Sequence, residues 1–91
     1  MEPYRLRMTR TAVRALTVRL PEKIAAAVHE FVAGPLLSNP HRLGKRLLYP
    51  PYEGTWSARR GAYRVLYIID EEERTVLVTS IEHRSDAYRS R

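Results

Sequence analysis

Arg59, Arg60 and Arg64 crowd around a single glycine, Gly61, and nineteen positions after Arg64 the chain reads His83-Arg84, with Tyr88 just beyond. Guanidinium groups stabilise charge developing on phosphorus oxygens. An imidazole moves protons near neutral pH, and a phenol ring stacks on a base. Together these are the groups a phosphodiester site needs. Taken singly, each has an ordinary surface role: Arg59 or Arg60 pairs with Glu53 or Glu82, Arg84 pairs with Asp86, and Tyr88 packs its ring on a sheet. A second basic stretch, Arg42, Lys45 and Arg46, is interleaved with Tyr49 and Tyr52 and supplies further candidate phosphate contacts.

The elements that must bring these residues together are legible as patterns. Residues 3–8 alternate Tyr4, Leu6 and Met8 with Arg5 and Arg7, the period of a half-buried strand. Thr9 or Thr11 then caps a helix. Val13, Leu16 and Leu20 form its apolar stripe beside Ala12 and Ala15, with Arg10, Arg14 and Arg19 turned away. Pro21 suits the first position of a second helix. Ile24, Val28, Phe31 and Val32 face the core there, and Gly34-Pro35 ends it. Residues 38–53 are rich in breakers and read as a basic loop. Residues 55–60, 62–69 and 74–82 read as three strands. The middle one is apolar on both faces over Val65 to Ile69, so both faces should be at least partly covered. Asp70 to Glu73 make a solvated acidic turn, and Trp56 belongs to the core.

The order is β-α-α-β-β-β. The class expected is α+β, with a helical hairpin packed on one face of a small antiparallel sheet, in a single domain spanning residues 1–91. Antiparallel pairing of 62–69 with 74–82 sets the start of one strand beside the end of the other, which should place Arg64 near His83 and Arg84.

Composition narrows the function. The 91 residues carry 16 Lys+Arg against 10 Asp+Glu, a formal charge of +6, almost all of the basic excess being arginine. That favours a polyanionic partner, whether nucleic acid, an anionic surface or an acidic protein. There is no cysteine, so disulfides and thiolate metal sites are excluded, and His29, His41 and His83 show no ligand spacing. No metal and no cofactor is expected. No apolar run approaches the ~20 residues of a membrane helix, and the first residues have no signal-peptide pattern. The expectation is a cytoplasmic protein with no membrane partner.

Gly61-Ala62-Tyr63-Arg64-Val65-Leu66-Tyr67 resembles the G-x-Y-R-[VL]-x-Y strand of the RelE/ParE superfamily of toxins, and His83-Arg84-Ser85-Asp86-Ala87-Tyr88 resembles its closing H-R-x-D-x-Y. Gly54-Thr55-Trp56-Ser57-Ala58-Arg59 is similar to the family's G-x-W-S-x-R segment, and Leu20-Pro21-Glu22-Lys23 also fits. The resemblance implies a toxin of a type II toxin–antitoxin pair. In the RelE-like branch this is a metal-independent endoribonuclease that enters the ribosomal A site and cuts mRNA by attack of a ribose 2′-OH on the adjacent phosphate. It implies that Arg64 stabilises the phosphate transition state, that Arg84 or His83 assists departure of the 5′-oxygen, and that Tyr88 orients the base. Two family lysines would fall at Thr55 and Ser57, and a glutamate base of another branch at Arg46, so the general base is open, with His83 the one nearby group of suitable intrinsic pKa. The ParE-like branch, which inhibits DNA gyrase without cleavage, and a degenerate toxin that binds only its antitoxin are the alternatives. All three imply an acidic, partly disordered RelB-like antitoxin drawn to the arginines.

Overall fold

Thr9 joins the first strand to the helical layer. In the computed structural model, which describes residues 2–83, its backbone N–H donates to the Val78 carbonyl at 3.0 Å. Its hydroxyl donates to the Thr79 carbonyl at 2.7 Å and accepts from the Ala12 N–H at 3.2 Å. One short side chain thus closes a sheet edge and caps a helix. The strand before it is β1, Arg5–Met8, and the helix after it is α1, Arg10–Arg14.

The helix widens into a π-helical turn over Ala15–Arg19, with Leu20 N–H donating to the Ala15 carbonyl at 3.0 Å. That wider step brings Leu20 back to the side of Ala15, so both reach the core. The small residues Ala12 and Ala15 own the buried face, whereas Val13, expected in the stripe, is 44% exposed. Two alanines let the helix sit close to the sheet, and Val13 is rotated off that contact. In α2, Glu22–Ala33, Val28 and Val32 are buried and Ile24 and Phe31 pack beside them, as the spacing requires. Pro21 stands one position before the helix, and Gly34 ends it.

Residues 38–53 are more ordered than a loop. Helical turns α3, Pro35–Ser38, and α4, Pro40–Leu43, each begin with a proline, and a short strand β2, Lys45–Arg46, follows. Strands β3 (Trp56–Arg60), β4 (Tyr63–Asp70) and β5 (Thr75–His83) complete a five-stranded sheet in the order β1-β5-β4-β3-β2. The pairs from β2 to β5 are antiparallel, but β1 runs parallel to β5. The expected antiparallel sheet is therefore mixed at one edge, because the helices carry the chain from β1 across to the far side before the meander returns.

The core lies between helices and sheet, where Ala58, Val65 and Ile81 form one cross-strand row and Tyr67 and Val78 the next. Leu66 is buried on the opposite face, while Ile68 on that face is 40% exposed, so cover there is partial. Trp56 is half-buried and stacks on Tyr67 at 6.4 Å. The acidic turn is not merely solvated. Glu71 accepts a hydrogen bond from the Tyr4 hydroxyl at 2.7 Å and pairs with His41 at 2.5 Å, and these contacts, led by the Tyr4 bond, hold its carboxyl below the usual range. This ties α4 and the β4–β5 turn to the N-terminal segment.

Tyr67 is wholly buried and its hydroxyl donates to the Pro40 carbonyl at 2.5 Å. Immediately above it passes Gly44, where an added Cβ would collide with that hydroxyl and crowd the Ser57 carbonyl. Gly44→Ala should cost about 1–3 kcal/mol in urea unfolding. Tyr67→Phe should cost about 1–3 kcal/mol by orphaning the Pro40 carbonyl, yet should make Gly44→Ala cheaper, because the hydroxyl it strikes is gone. Additive costs would contradict the contact.

Burial also pushes the Tyr67 phenol up to about 12. An unfolded phenol loses its proton near 10 while the folded one keeps it. Stability is therefore fully present below pH 10 and falls between 10 and about 12, at roughly 1.4 kcal/mol per pH unit at most. In Tyr67→Phe this part of the alkaline decline should vanish, which urea midpoints across that range would read.

Candidate nucleic-acid interface

The hairpin joining β3 to β4 decides which arginines meet. Gly61, at φ 63, opens a two-residue loop, so Arg60 pairs with Tyr63 and Arg59 with Arg64. Side chains alternate across a strand. Arg59 and Arg64 therefore share the face away from the helices, and Arg60 lies on the helix side, its guanidinium 6.0 Å from the Phe31 ring centroid. On the neighbouring edge Lys45 pairs with Ser57 and Arg46 with Trp56, so Lys45 joins the Arg59 face and Arg46 does not.

The result is an open groove of about 510 Å³ bordered by Arg42, Lys45, Arg59 and Arg64, with Ser57 on its floor. Leu43, Gly44 and Leu47 complete the wall nearest β2. Four of the cations proposed from sequence thus converge, and two, Arg46 and Arg60, point elsewhere. The density of like charge is tolerable because Arg42, Lys45 and Arg59 are exposed to water. A phosphate entering the groove replaces that water with several guanidinium and ammonium donors at once.

His83 departs from expectation. It pairs with Tyr63, and its ring meets the Tyr63 ring edge-on at 5.1 Å, on the helix side. There it borders a different hollow of about 180 Å³ with Ala15, Arg19, Leu20, Tyr63 and Ile81. Antiparallel pairing does bring its backbone beside that of Arg64, but the pleat sends the two side chains to opposite faces. The direct cross-strand neighbour of Arg64 is Glu82, whose carboxylate lies 3.5 Å from the Ser80 hydroxyl. Sequence reasoning passed over Glu82 as a site residue; a two-residue loop at Gly61 and strict alternation would have marked it. Arg84 and Tyr88 lie outside the described residues.

Among the described residues no group of His, Asp and Glu side chains is arranged to hold a metal ion, and no helix is long and apolar enough to cross a membrane.

The family model described as ParE toxin of type II toxin-antitoxin system, parDE, matches residues 6–88. The chain belongs to the RelE/ParE superfamily of type II toxins. It is 58% identical over 87 residues to Toxin RelE of Mycobacterium tuberculosis, covering 96% of this chain and 88% of that protein. It is 51% identical over 87 residues to Toxin RelG of the same organism, covering 96% and 98%. The crystal structure of the toxin-antitoxin complex RelBE2 from M. tuberculosis matches at a TM-score of 0.85 and 50% identity, over 94% of this chain and 97% of that chain. Within this RelE-like toxin fold, the groove occupies the sheet face that the helices leave open.

If the groove binds a phosphodiester backbone, Arg59→Ala and Arg64→Ala should each flatten the salt dependence of single-stranded RNA binding, by about 0.7 in log–log slope per lost phosphate contact. Arg60→Ala, on the other face, should leave the slope unchanged. Equal effects at all three positions would show that only net charge matters.

Proposed function

We propose that this toxin is a ribosome-dependent endoribonuclease that cuts translated mRNA in the cytoplasm. The observation that carries the reading is the convergence of Arg42, Lys45, Arg59 and Arg64 on one open sheet face. In the proposed reaction the ribose 2′-oxygen attacks the adjacent phosphorus, a 2′,3′-cyclic phosphate forms, and the bond to the 5′-oxygen breaks. Arg64 neutralises the charge that grows on the phosphorus oxygens. Lys45 and Arg59 hold the backbone on either side.

The first proton needs an acceptor on the groove face. His83 lies on the other face, and the carboxylate of Glu82, beside Arg64, takes its place in this reading. The departing 5′-oxygen takes up a proton and is released as a hydroxyl. Arg84 keeps the role of assisting that departure and Tyr88 that of orienting the base, both on the resemblance alone. An acidic RelB-like antitoxin is the natural partner, covering the groove and its arginines until it is removed.

A second reading draws on the family model, whose description is that of a ParE toxin. On that reading the basic face binds DNA gyrase and cuts nothing.

Controlled expression with mapping of cellular mRNA 5′ ends separates the two. New 5′-OH ends inside translated frames are expected, reduced about 100- to 1000-fold in Arg64→Ala and clearly reduced in Glu82→Gln, but largely retained in His83→Asn. Growth arrest with intact mRNA and a DNA-damage response would overturn the nuclease reading in favour of gyrase. Intact mRNA without arrest would leave a protein that binds only its antitoxin.

A further inference from the structure

The groove does not end at Leu47. The β2–β3 hairpin continues past it, with the Leu47 N–H donating to the Thr55 carbonyl at 2.8 Å. Two turn bonds then close the tip, Tyr52 N–H to the Tyr49 carbonyl at 3.0 Å and Thr55 N–H to the Tyr52 carbonyl at 2.8 Å. Pro50 and Pro51 fill the turn between the two tyrosines. The tip is thus short and hydrogen-bonded, and it holds two large aromatic rings in solvent: Tyr49 is 79% exposed and Tyr52 46% exposed. Among the described residues neither ring packs on another ring or cation, and neither hydroxyl has a hydrogen-bond partner. Nothing within the fold accounts for them.

Their position suggests what does. Lys45 and Leu47 both border the groove, and Tyr49 is the next position of the same alternation along this hairpin arm. At roughly 3.3 Å per residue, Tyr49 lies about 13 Å beyond Lys45 and about 20 Å beyond the Arg59–Arg64 row. A few nucleotides of extended single strand span that distance. A basic track followed by exposed aromatic rings matches the pairing by which single strands are held: cations follow the phosphates and rings receive the bases. A duplex offers no free base faces to such rings, so the occupant is single-stranded.

We infer that Tyr49 and Tyr52 form a base-stacking platform at the end of the Arg42–Lys45–Arg59–Arg64 groove, which grips single-stranded RNA a few nucleotides away from the phosphate bound at Arg64. The inference rests on the groove being an RNA site, as proposed above. The platform is a positioning surface. It touches bases and takes no part in bond making, and stacking accepts any base, so it adds affinity and register rather than sequence choice.

The test uses the full chain and a fluorescein-labelled RNA decamer carrying 2′-O-methyl groups throughout, so that it binds without being cut. Tyr49→Ala with Tyr52→Ala should weaken binding by at least about tenfold, the loss expected for stacked bases, with the salt slope unchanged, because no phosphate contact is lost. Tyr49→Phe with Tyr52→Phe should stay within about twofold of the parent, because the rings remain. An unchanged affinity in the alanine pair, a flattened salt slope in that pair, or a phenylalanine pair as weak as the alanine pair would each overturn the platform. If the alanine pair kept its RNA affinity but lost its co-expressed acidic antitoxin, the tip would be a protein contact and the RNA assignment would fall. Failure of the parent chain to bind the decamer, or an Arg59→Ala with Arg64→Ala variant that binds like the parent, would overturn the groove reading itself, and the platform with it.

Discussion

One close crossing organises the functional face. The buried Tyr67 hydroxyl reaches the Pro40 carbonyl, and the chain then runs over that hydroxyl at Gly44, where no side chain intervenes. The hydrogen bond anchors α4, and the missing Cβ lets β2 settle against β3. Arg42 and Lys45 flank this crossing on either side in sequence. A longer route over Tyr67 would lift both away from Arg59 and Arg64, and the four cations would no longer border one groove. The cationic site thus depends on a neutral hydrogen bond beneath it. The aromatic stack of Trp56 on Tyr67, with His41 edge-on to Trp56 at 5.4 Å, braces the same corner from the helix side.

The second constraint is the pleat of the sheet. It assigns each arginine of the β3–β4 hairpin to a face, and so it separates charge for phosphate from charge that only covers apolar surface. Arg59 and Arg64 serve the open face. Arg60 extends over Phe31 on the helix side, where its aliphatic stem and guanidinium shield the end of the core. The same rule divides the proton-carrying groups, leaving Glu82 with Arg64 and His83 with Tyr63. A mechanism for this chain therefore begins from a carboxylate among arginines.

Much of this was legible in the sequence. Alternation at Tyr4, Leu6 and Met8, the stripe Ile24–Val28–Phe31–Val32 and the apolar run from Val65 to Ile69 fix where strands and helices lie, because period and burial are linked directly. The motifs around Arg64 and the family assignment were also readable. Three features were not. Val13 looked like core because apolar type shows nothing of how closely two alanines bring a helix to its sheet. Strand β2 was hidden, since two exposed basic residues in a proline-rich stretch carry no β pattern and pair only because β3 is already in place. The faces of Arg60 and His83 depended on the length of one turn, and a single residue of uncertainty there exchanges the two sides.

The central claim is that phosphate binds the open face at Arg64 and not the histidine side of the sheet. Backbone amide shifts of the isotope-labelled chain, followed by NMR during titration with a 2′-O-methyl RNA decamer, test it most directly. The account predicts that the largest changes fall at residues 42–47, 57–59 and 64–66. Changes concentrated instead at Ala15, Leu20, Tyr63 and His83 would place the ligand on the helix side and contradict it.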